Sequence, residues 1–354
     1  MNKIKVLVVD DSAFMRKAIE TMLAGETDIE IIGYGKNGIE AVDMAASLKP
    51  DVITLDVEMP KMDGITALEL IMKHSPVPVI MVSSLTQEGA DTTLKALDKG
   101  AVDFIPKEKS YGSVGILKIS NELKTKVRRF AGDKAILHRL KPLSSAHTAA
   151  VPRPSAPSKR VSSSTHKKIV ALGTSTGGPQ SLQRVIPMLP AELGVPVVVV
   201  QHMPPSFTQS LAARLNSLSK VNVVEAQGGE TLKPNCVYIA KGGKQMTVKR
   251  VGSTASIVIS EEDPKLLHNP SVDIMVDSVA ESFGSDALGV IMTGMGNDGT
   301  KGLKKLRDRG GFVISQDEPS CIVYGMPRAV VEAGIADEIV TLDDIASRIA
   351  FHVK

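Results

Sequence analysis

Two α/β domains in series, each built around a mainly parallel sheet, are what this sequence predicts, and three observations carry the prediction. Short apolar runs alternate with amphipathic stretches over residues 3–107 and again from Lys168 onward, the pattern of strands joined by helical crossovers. Between the halves, from about Pro142 to His166, the pattern gives way to Pro, Ser, Ala, Arg and Lys, with too few large apolar residues to pack. Polar residues capable of chemistry fall at the C-terminal ends of the apolar runs, the edge at which parallel sheets bind ligands.

In the first half the expected strands are Lys5–Val9, Glu30–Tyr34, Val52–Asp56, Val79–Val82 and Asp103–Ile105. Helical stretches such as Ser12–Leu23, capped by Asp11-Ser12, and Gly38–Leu48 lie between them, and a last helix is expected over about Val114–Phe130. Five such units fit a flavodoxin-like doubly wound sheet. In the second half the expected strands are Ile169–Leu172, Val195–Val200, Val221–Glu225, Cys236–Ala240, Ser256–Ile259, Leu288–Met292 and Phe312–Ser315. The unbroken apolar run Val195–Val200 suits a strand covered on both faces. Gln245–Ile259 reads as a hairpin on the sheet edge, and the whole half as a second, larger α/β domain. The expected division is residues 1–125, a helix extension and linker over 126–167, and residues 168–354.

Composition narrows the function classes. The 354 residues suffice for two sizeable cores. No apolar run approaches the roughly 18 residues of a membrane helix. The N-terminus enters a strand pattern without a signal-peptide core, so a cytoplasmic protein with no direct membrane insertion is expected. The cysteines, Cys236 and Cys321, are far apart and lack a ligand pattern, as in a reduced compartment. The net charge of +3 is too small to imply a nucleic-acid partner, and the basic excess from Lys124 to Lys168 reads as solvated linker.

Asp10 and Asp11 end the first strand and Asp56 the third. Those strands are neighbours in a doubly wound sheet, so the three carboxylates converge. Uncompensated, they would raise one another's pKa values; Mg²⁺, which suits a few carboxylates, waters and a phosphate, relieves this. Lys107, after the fifth strand, adds an ammonium, and Ser83, ending the fourth, a hydroxyl. One such residue alone is an ordinary polar strand end; five at the correct strand ends describe a site for an acyl phosphate. Val8-Val9-Asp10-Asp11-Ser12, Asp56-Val57-Glu58-Met59-Pro60, Asp63-Gly64 and Pro106-Lys107 resemble a two-component receiver domain over residues 1–125. The resemblance implies Asp56 as phosphoacceptor, with Asp10, Asp11, Asp56 and the backbone carbonyl of Glu58 around Mg²⁺. It also implies that Ser83 and Lys107 read the phosphoryl group and that Phe104 changes rotamer. Phe at 104 lacks the hydroxyl contact a Tyr would bring.

The second half carries Gly173-Thr174-Ser175-Thr176-Gly177, a literal G-x-S-x-G whose small residues permit a sharp strand-to-helix turn. Serine needs a base, and His202 directly follows the next strand. Asp298, after Leu288–Met292, is placed to orient the imidazole. The glycines around Met295 expose backbone N–H groups, so the Met295 amide, with that of Thr176, is a candidate oxyanion hole. Rival readings exist. A dinucleotide loop would need G-x-G-x-x-G and an acid after the second strand; a Walker loop would need Lys where Pro179 stands. A lone histidine is more often a buried, satisfied one, and His202 alone would read so; His268 in its loop competes for the base. A DNA-binding output domain would be small and helical with a basic recognition helix, unlike this strand-rich half.

Gly173–Pro179, Gln201-His202-Met203-Pro204, His268-Asn269-Pro270-Ser271-Val272-Asp273 and Met292–Gly299 resemble the bacterial chemotaxis protein-glutamate methylesterases, over about residues 168–350. A receiver and a linker precede the catalytic domain in that family too. The resemblance implies Ser175 as nucleophile, His202 as base and Asp298 as orienting acid, with no cofactor at this site. The implied activity is a phosphorylation-activated serine esterase that hydrolyses glutamate methyl esters on chemoreceptor cytoplasmic helices, releasing methanol, with deamidation of receptor glutamines beside it. A chemotaxis histidine kinase is the implied phosphodonor.

Overall fold

The computed structural model describes residues 3–107, 113–132, 136–137, 166–262 and 266–354, with side chains of 113–118 left aside. The expected linker lies almost wholly outside these residues. The chain divides into two compact units, Met1–Leu143 and Ser144–Lys354.

The first unit runs β1 (Ile4–Val9), α1 (Ala13–Leu23), β2 (Ile29–Gly35), α2 (Gly38–Leu48), β3 (Val52–Asp56), α3 (Gly64–His74), β4 (Val79–Ser84), α4 (Gln87–Asp98), β5 (Asp103–Lys107) and α5 (Ser113–Phe130). Its five strands pair in parallel in the order β2-β1-β3-β4-β5. All five residues of β3 are buried, which explains why the central strands are apolar without alternation. The first four helices each begin where a short polar side chain replaces a missing backbone acceptor. Ser12 caps α1, Asn37 caps α2, Asp63 caps α3 through Thr66 N at 2.7 Å, and Thr86 caps α4. Gly64 must lack a side chain, because a Cβ there would lie 1.9 Å from the Asp56 carbonyl oxygen. The start of α3 therefore lies directly against the end of β3, steadying the loop that carries Glu58.

The second unit contains β6 (Ile169–Thr174), α6 (Gly178–Val185), β7 (Val197–Gln201), α7 (Pro205–Leu218), β8 (Asn222–Glu225), β9 (Cys236–Ile239), β10 (Gln245–Val251), β11 (Thr254–Ser260), α8 (Val272–Phe283), β12 (Ala287–Ile291), α9 (Thr300–Asp308), β13 (Phe312–Gln316), α10 (Met326–Glu332), β14 (Glu338–Val340) and α11 (Leu342–Val353). Seven strands form one parallel sheet in the order β14-β13-β12-β6-β7-β9-β8. The first strand, β6, is central; the chain builds outward through β7 on one side and later through β12 on the other. That places the topological switch point beside β6, where open α/β sheets bind ligands.

Two expectations are corrected. The hairpin does not extend the edge of the main sheet: β10 and β11 form a separate antiparallel pair. The Ser256–Ile259 run belongs to that pair, so it is not a strand of the alternation. The hairpin is anchored on α8 by Val248 N donating to Ser278 Oγ at 2.9 Å and Ser282 Oγ donating to Val248 O at 3.0 Å. Its alternating pattern reflects one apolar face turned to the core, with Met246 and Ile257 fully buried. β14, absent from the expected strands, is a three-residue edge strand of only partial burial, too short to leave a periodic signal.

Candidate functional site

Three loops meet at the switch point of the second unit. The first leaves β6 at Ser175. Its N–H donates to Thr293 O at 3.0 Å, and its carbonyl accepts from Gly178 N at 2.8 Å as α6 begins. Gly177 takes a positive φ of 76° in that turn, and a Cβ there would lie 2.5 Å from the Ile322 Cβ. The second loop leaves β7 at His202, whose N–H donates to Thr174 O at 3.2 Å, holding it beside the serine turn. Gln201 ties the two together: its buried Nε2 donates to Ser175 O at 2.9 Å and His202 O at 3.1 Å. The third loop follows β12. Gly294 packs so closely that a Cβ on it would lie 2.9 Å from Ser175 Cβ, bringing the Met295 backbone to the serine's side.

Asp298 closes the arrangement. Its Oδ2 lies 2.8 Å from His202 Nε2 and accepts from Val272 N at 2.7 Å. Its Oδ1 accepts from Ser271 Oγ at 2.9 Å and Asp273 N at 3.0 Å. The carboxylate thus sits at the N-terminus of α8, whose first amides and dipole favour negative charge. Burial pushes its pKa up, but His202 and these donors outweigh that and hold it well below the usual carboxylate range. An ionised Asp298 can only accept, so Nε2 carries the imidazole proton and Nδ1 the lone pair. Nδ1 is buried and has no hydrogen-bond partner among the described residues. The ring of His268 stacks on that of His202, with centroids 3.9 Å apart and planes 10° from parallel. The N–H groups of Thr176 and Met295 donate to no acceptor among the described residues.

The first unit holds a second polar cluster at the ends of β1, β3 and β5. Asp10, Asp11 and Asp56 each offer an oxygen, all within 4.8 Å of one another. Lys107 Nζ lies 2.9 Å from Asp10 Oδ2 and 2.7 Å from Asp56 Oδ2. Burial and the Asp10 charge push Asp56 up to about 6, although Lys107 and the Glu58 N–H oppose them. Such excess negative charge among hard oxygen donors fits a divalent ion of the Mg²⁺ kind. The Glu58 N–H reaches Asp56 Oδ1 at 3.4 Å. The Ser83 hydroxyl donates to Gly89 O at 3.1 Å rather than to the carboxylates. Phe104 is buried, its carbonyl accepting from Lys126 Nζ at 2.7 Å.

Residues 170–349 match the CheB methylesterase family, and residues 6–113 match the response regulator receiver domain family. The chain belongs to the CheB methylesterase family. A protein-glutamate methylesterase/protein-glutamine glutaminase of Lawsonia intracellularis is 45% identical over 350 residues, covering 98% of each chain. One of the same name from Thermotoga maritima is 46% identical over 336 residues, covering 95% of this chain and 94% of its own. The crystal structure of the Thermotoga maritima CheB methylesterase catalytic domain superposes with a TM-score of 0.51. It is 44% identical and covers 53% of this chain and 99% of that domain. As a CheB methylesterase the chain is a hydrolase, and a receiver domain precedes its catalytic half.

Gln201, Gln245, Ser271 and Thr293 also belong to the site, although nothing in the chain pattern singles them out. Gln201, Ser271 and Thr293 sit inside the sequence motifs, but their roles come from which carbonyl or carboxylate they meet. Thr293 Oγ1 donates to Thr176 O at 3.0 Å and Val323 O at 3.2 Å, bracing the serine turn from beneath. Nothing in a lone threonine signals that.

Proposed function

We propose that this chain hydrolyses glutamate γ-methyl esters on chemoreceptors, releasing methanol, and deamidates receptor glutamines at the same site, under control of phosphorylation at Asp56. The functional division proposed is a receiver over residues 1–125, a connecting segment over 126–167, and the methylesterase over 168–354. The observation that carries the reading is the His202–Asp298 pair beside the Ser175 turn at the sheet's switch point.

Catalysis follows from the proton positions. Ser175 Oγ attacks the ester carbonyl carbon as its proton passes to His202 Nδ1. The carbonyl π electrons move to oxygen, and the N–H groups of Met295 and Thr176 receive that oxyanion. Collapse of the tetrahedral species breaks the bond to methoxide, which takes the proton back from Nδ1 and leaves as methanol. A water, deprotonated by Nδ1, then attacks the acyl-serine; the bond to Ser175 Oγ breaks, Oγ takes the proton back from Nδ1, and the freed glutamic acid ionises to its carboxylate. With a glutamine substrate, ammonia is the leaving group. Asp298 stays ionised throughout, fixing the tautomer and stabilising the imidazolium.

In the receiver, Asp10, Asp11, Asp56 and the Glu58 carbonyl would hold Mg²⁺. Bound there, the ion neutralises the charge that accumulates when Asp56 accepts a phosphoryl group. Lys107 already spans Asp10 and Asp56 and can follow the new phosphoryl oxygens, with Ser83 supplying a hydroxyl and Phe104 moving with β5. The phosphodonor partner is a histidine kinase of the chemotaxis system; the substrate partner is the cytoplasmic helical region of chemoreceptors. No helix among the described residues is long and apolar enough to cross a membrane, and a cytoplasmic location is part of the proposal.

The test is methanol release from methylated chemoreceptor membranes, with Mg²⁺, before and after a small-molecule phosphodonor. The rate should rise with the phosphodonor in the wild type. Ser175→Ala should lower turnover by about 10⁴ to 10⁶ with the fold intact. Retention of more than a few per cent would remove Ser175 as nucleophile.

A further inference from the structure

We propose that His268 is a positioning residue for the base His202, and that Gln245 on β10 holds it in place; this rests on the serine-esterase reading above. The ring of His268 lies parallel on His202 at van der Waals distance. Parallel rings present faces to one another, so the contact restrains orientation without moving a proton. An imidazole turns about its terminal torsion in a broad, roughly two-fold well. If the ring swings, Nε2 leaves Asp298 and the Nδ1 lone pair is re-aimed, so anything that blocks the swing protects the Asp298 contact and the aim of the base.

The segment carrying His268 is itself clamped. Gln245 is buried, and its one amide meets three groups of residues 268–271. Nε2 donates to His268 O at 3.0 Å and to Asn269 Oδ1 at 2.5 Å, while Oε1 accepts from Ser271 N at 2.9 Å. Gly243 N adds a bond to Asn269 O at 3.0 Å. The same short segment therefore holds both members of the acid–base pair, the His268 ring on His202 and the Ser271 hydroxyl on Asp298. The hairpin that stands outside the main sheet gains a purpose: β10 carries the glutamine that sets this segment.

The experiment is steady-state ester hydrolysis by the full chain carrying His268→Ala, His268→Phe or Gln245→Ala, with Ser175→Ala alongside and thermal unfolding recorded for each. Misplacing a catalytic group by about 1 Å costs on the order of 10²-fold. His268→Ala should therefore lower kcat by about 10- to 100-fold while KM stays within about twofold. His268→Phe, which restores a flat ring without a titratable nitrogen, should recover kcat to within about threefold of wild type, and Gln245→Ala should lower kcat with the same split. An unchanged kcat in His268→Ala overturns the inference, as does a folded His268→Phe variant no faster than His268→Ala. Should His268→Ala fail to fold, the Phe variant decides alone: above about a third of the wild-type rate supports positioning, below about a tenth overturns it. An inactive Ser175→Ala beside a fully active His268→Ala would discard only this inference; an active Ser175→Ala would discard the esterase reading.

Discussion

Asp56 and Asp298 occupy equivalent places in the two halves, each at the carboxyl edge of a parallel sheet, each largely buried and each beside a basic side chain. Their chemistry diverges completely. Asp56 is pushed up to about 6, whereas Asp298 is held well below the usual carboxylate range. Burial raises both, so burial does not separate them. The donors do. Asp298 accepts from two backbone amides, a serine hydroxyl and an imidazole; Asp56 has Lys107, shared with Asp10, and one long contact to the Glu58 N–H. A fully satisfied carboxylate is a fixture that orients another group. An under-satisfied one crowded by a second acid favours whatever relieves its charge, whether a proton, a metal ion or a covalent phosphoryl group.

The sharpest way to break the comparison is Asp298→Asn. It keeps the shape but permits the wrong histidine tautomer, and should lower methanol release by about 10⁴; a loss under tenfold would mean that Asp298 does not govern His202. Next is Asp56→Asn, which should abolish stimulation by the phosphodonor while leaving the basal rate intact. It should also stabilise the receiver at neutral pH. The folded state of Asp56 binds its proton more tightly than the unfolded chain, so its favourable contribution is full below about pH 4 and lost as pH rises through about 6. Relative to Asp56→Asn, the wild-type receiver should therefore lose about 3 kcal/mol between about pH 4 and about pH 7. Asp298 should behave with the opposite sign, its contribution full above about pH 4 and lost as pH falls further. Chemical denaturation of each variant across pH reads both; parallel curves would erase the contrast.

The smallest effect is that of the ion. At about ten times its Kd, Mg²⁺ should stabilise the receiver transition by about 1.4 kcal/mol, and Asp56→Asn or Asp10→Asn should remove most of that gain. The catalytic transition, resolved in the same calorimetric scan, should not move. An equal shift of both transitions would mean that Mg²⁺ acts non-specifically.

Much of the molecule was legible before any fold was known, and for physical reasons. Strands buried on both faces are mostly apolar, so β3 and β7 announce themselves in the runs Val52–Asp56 and Val195–Val200, the latter observed as Val197–Gln201. Polar residues that end such strands must lie at the ligand-binding edge, so Asp10, Asp56, Ser175 and His202 could be grouped by chain position alone. What the chain order could not decide is which polar atoms meet. The Asp298 carboxylate draws its donors from residues 271–273, about 25 positions away, because α8 begins against the loop after β12. Ser83 turns its hydroxyl to Gly89 rather than to the acids, a choice made by local packing that a strand end does not encode. His268, weighed from the chain as a rival base, becomes a wall for His202 only because the hairpin leaves the sheet and packs on α8. Periodicity follows from burial and is therefore written along the chain; hydrogen-bond partners follow from three-dimensional proximity, and only the tertiary structure supplied them.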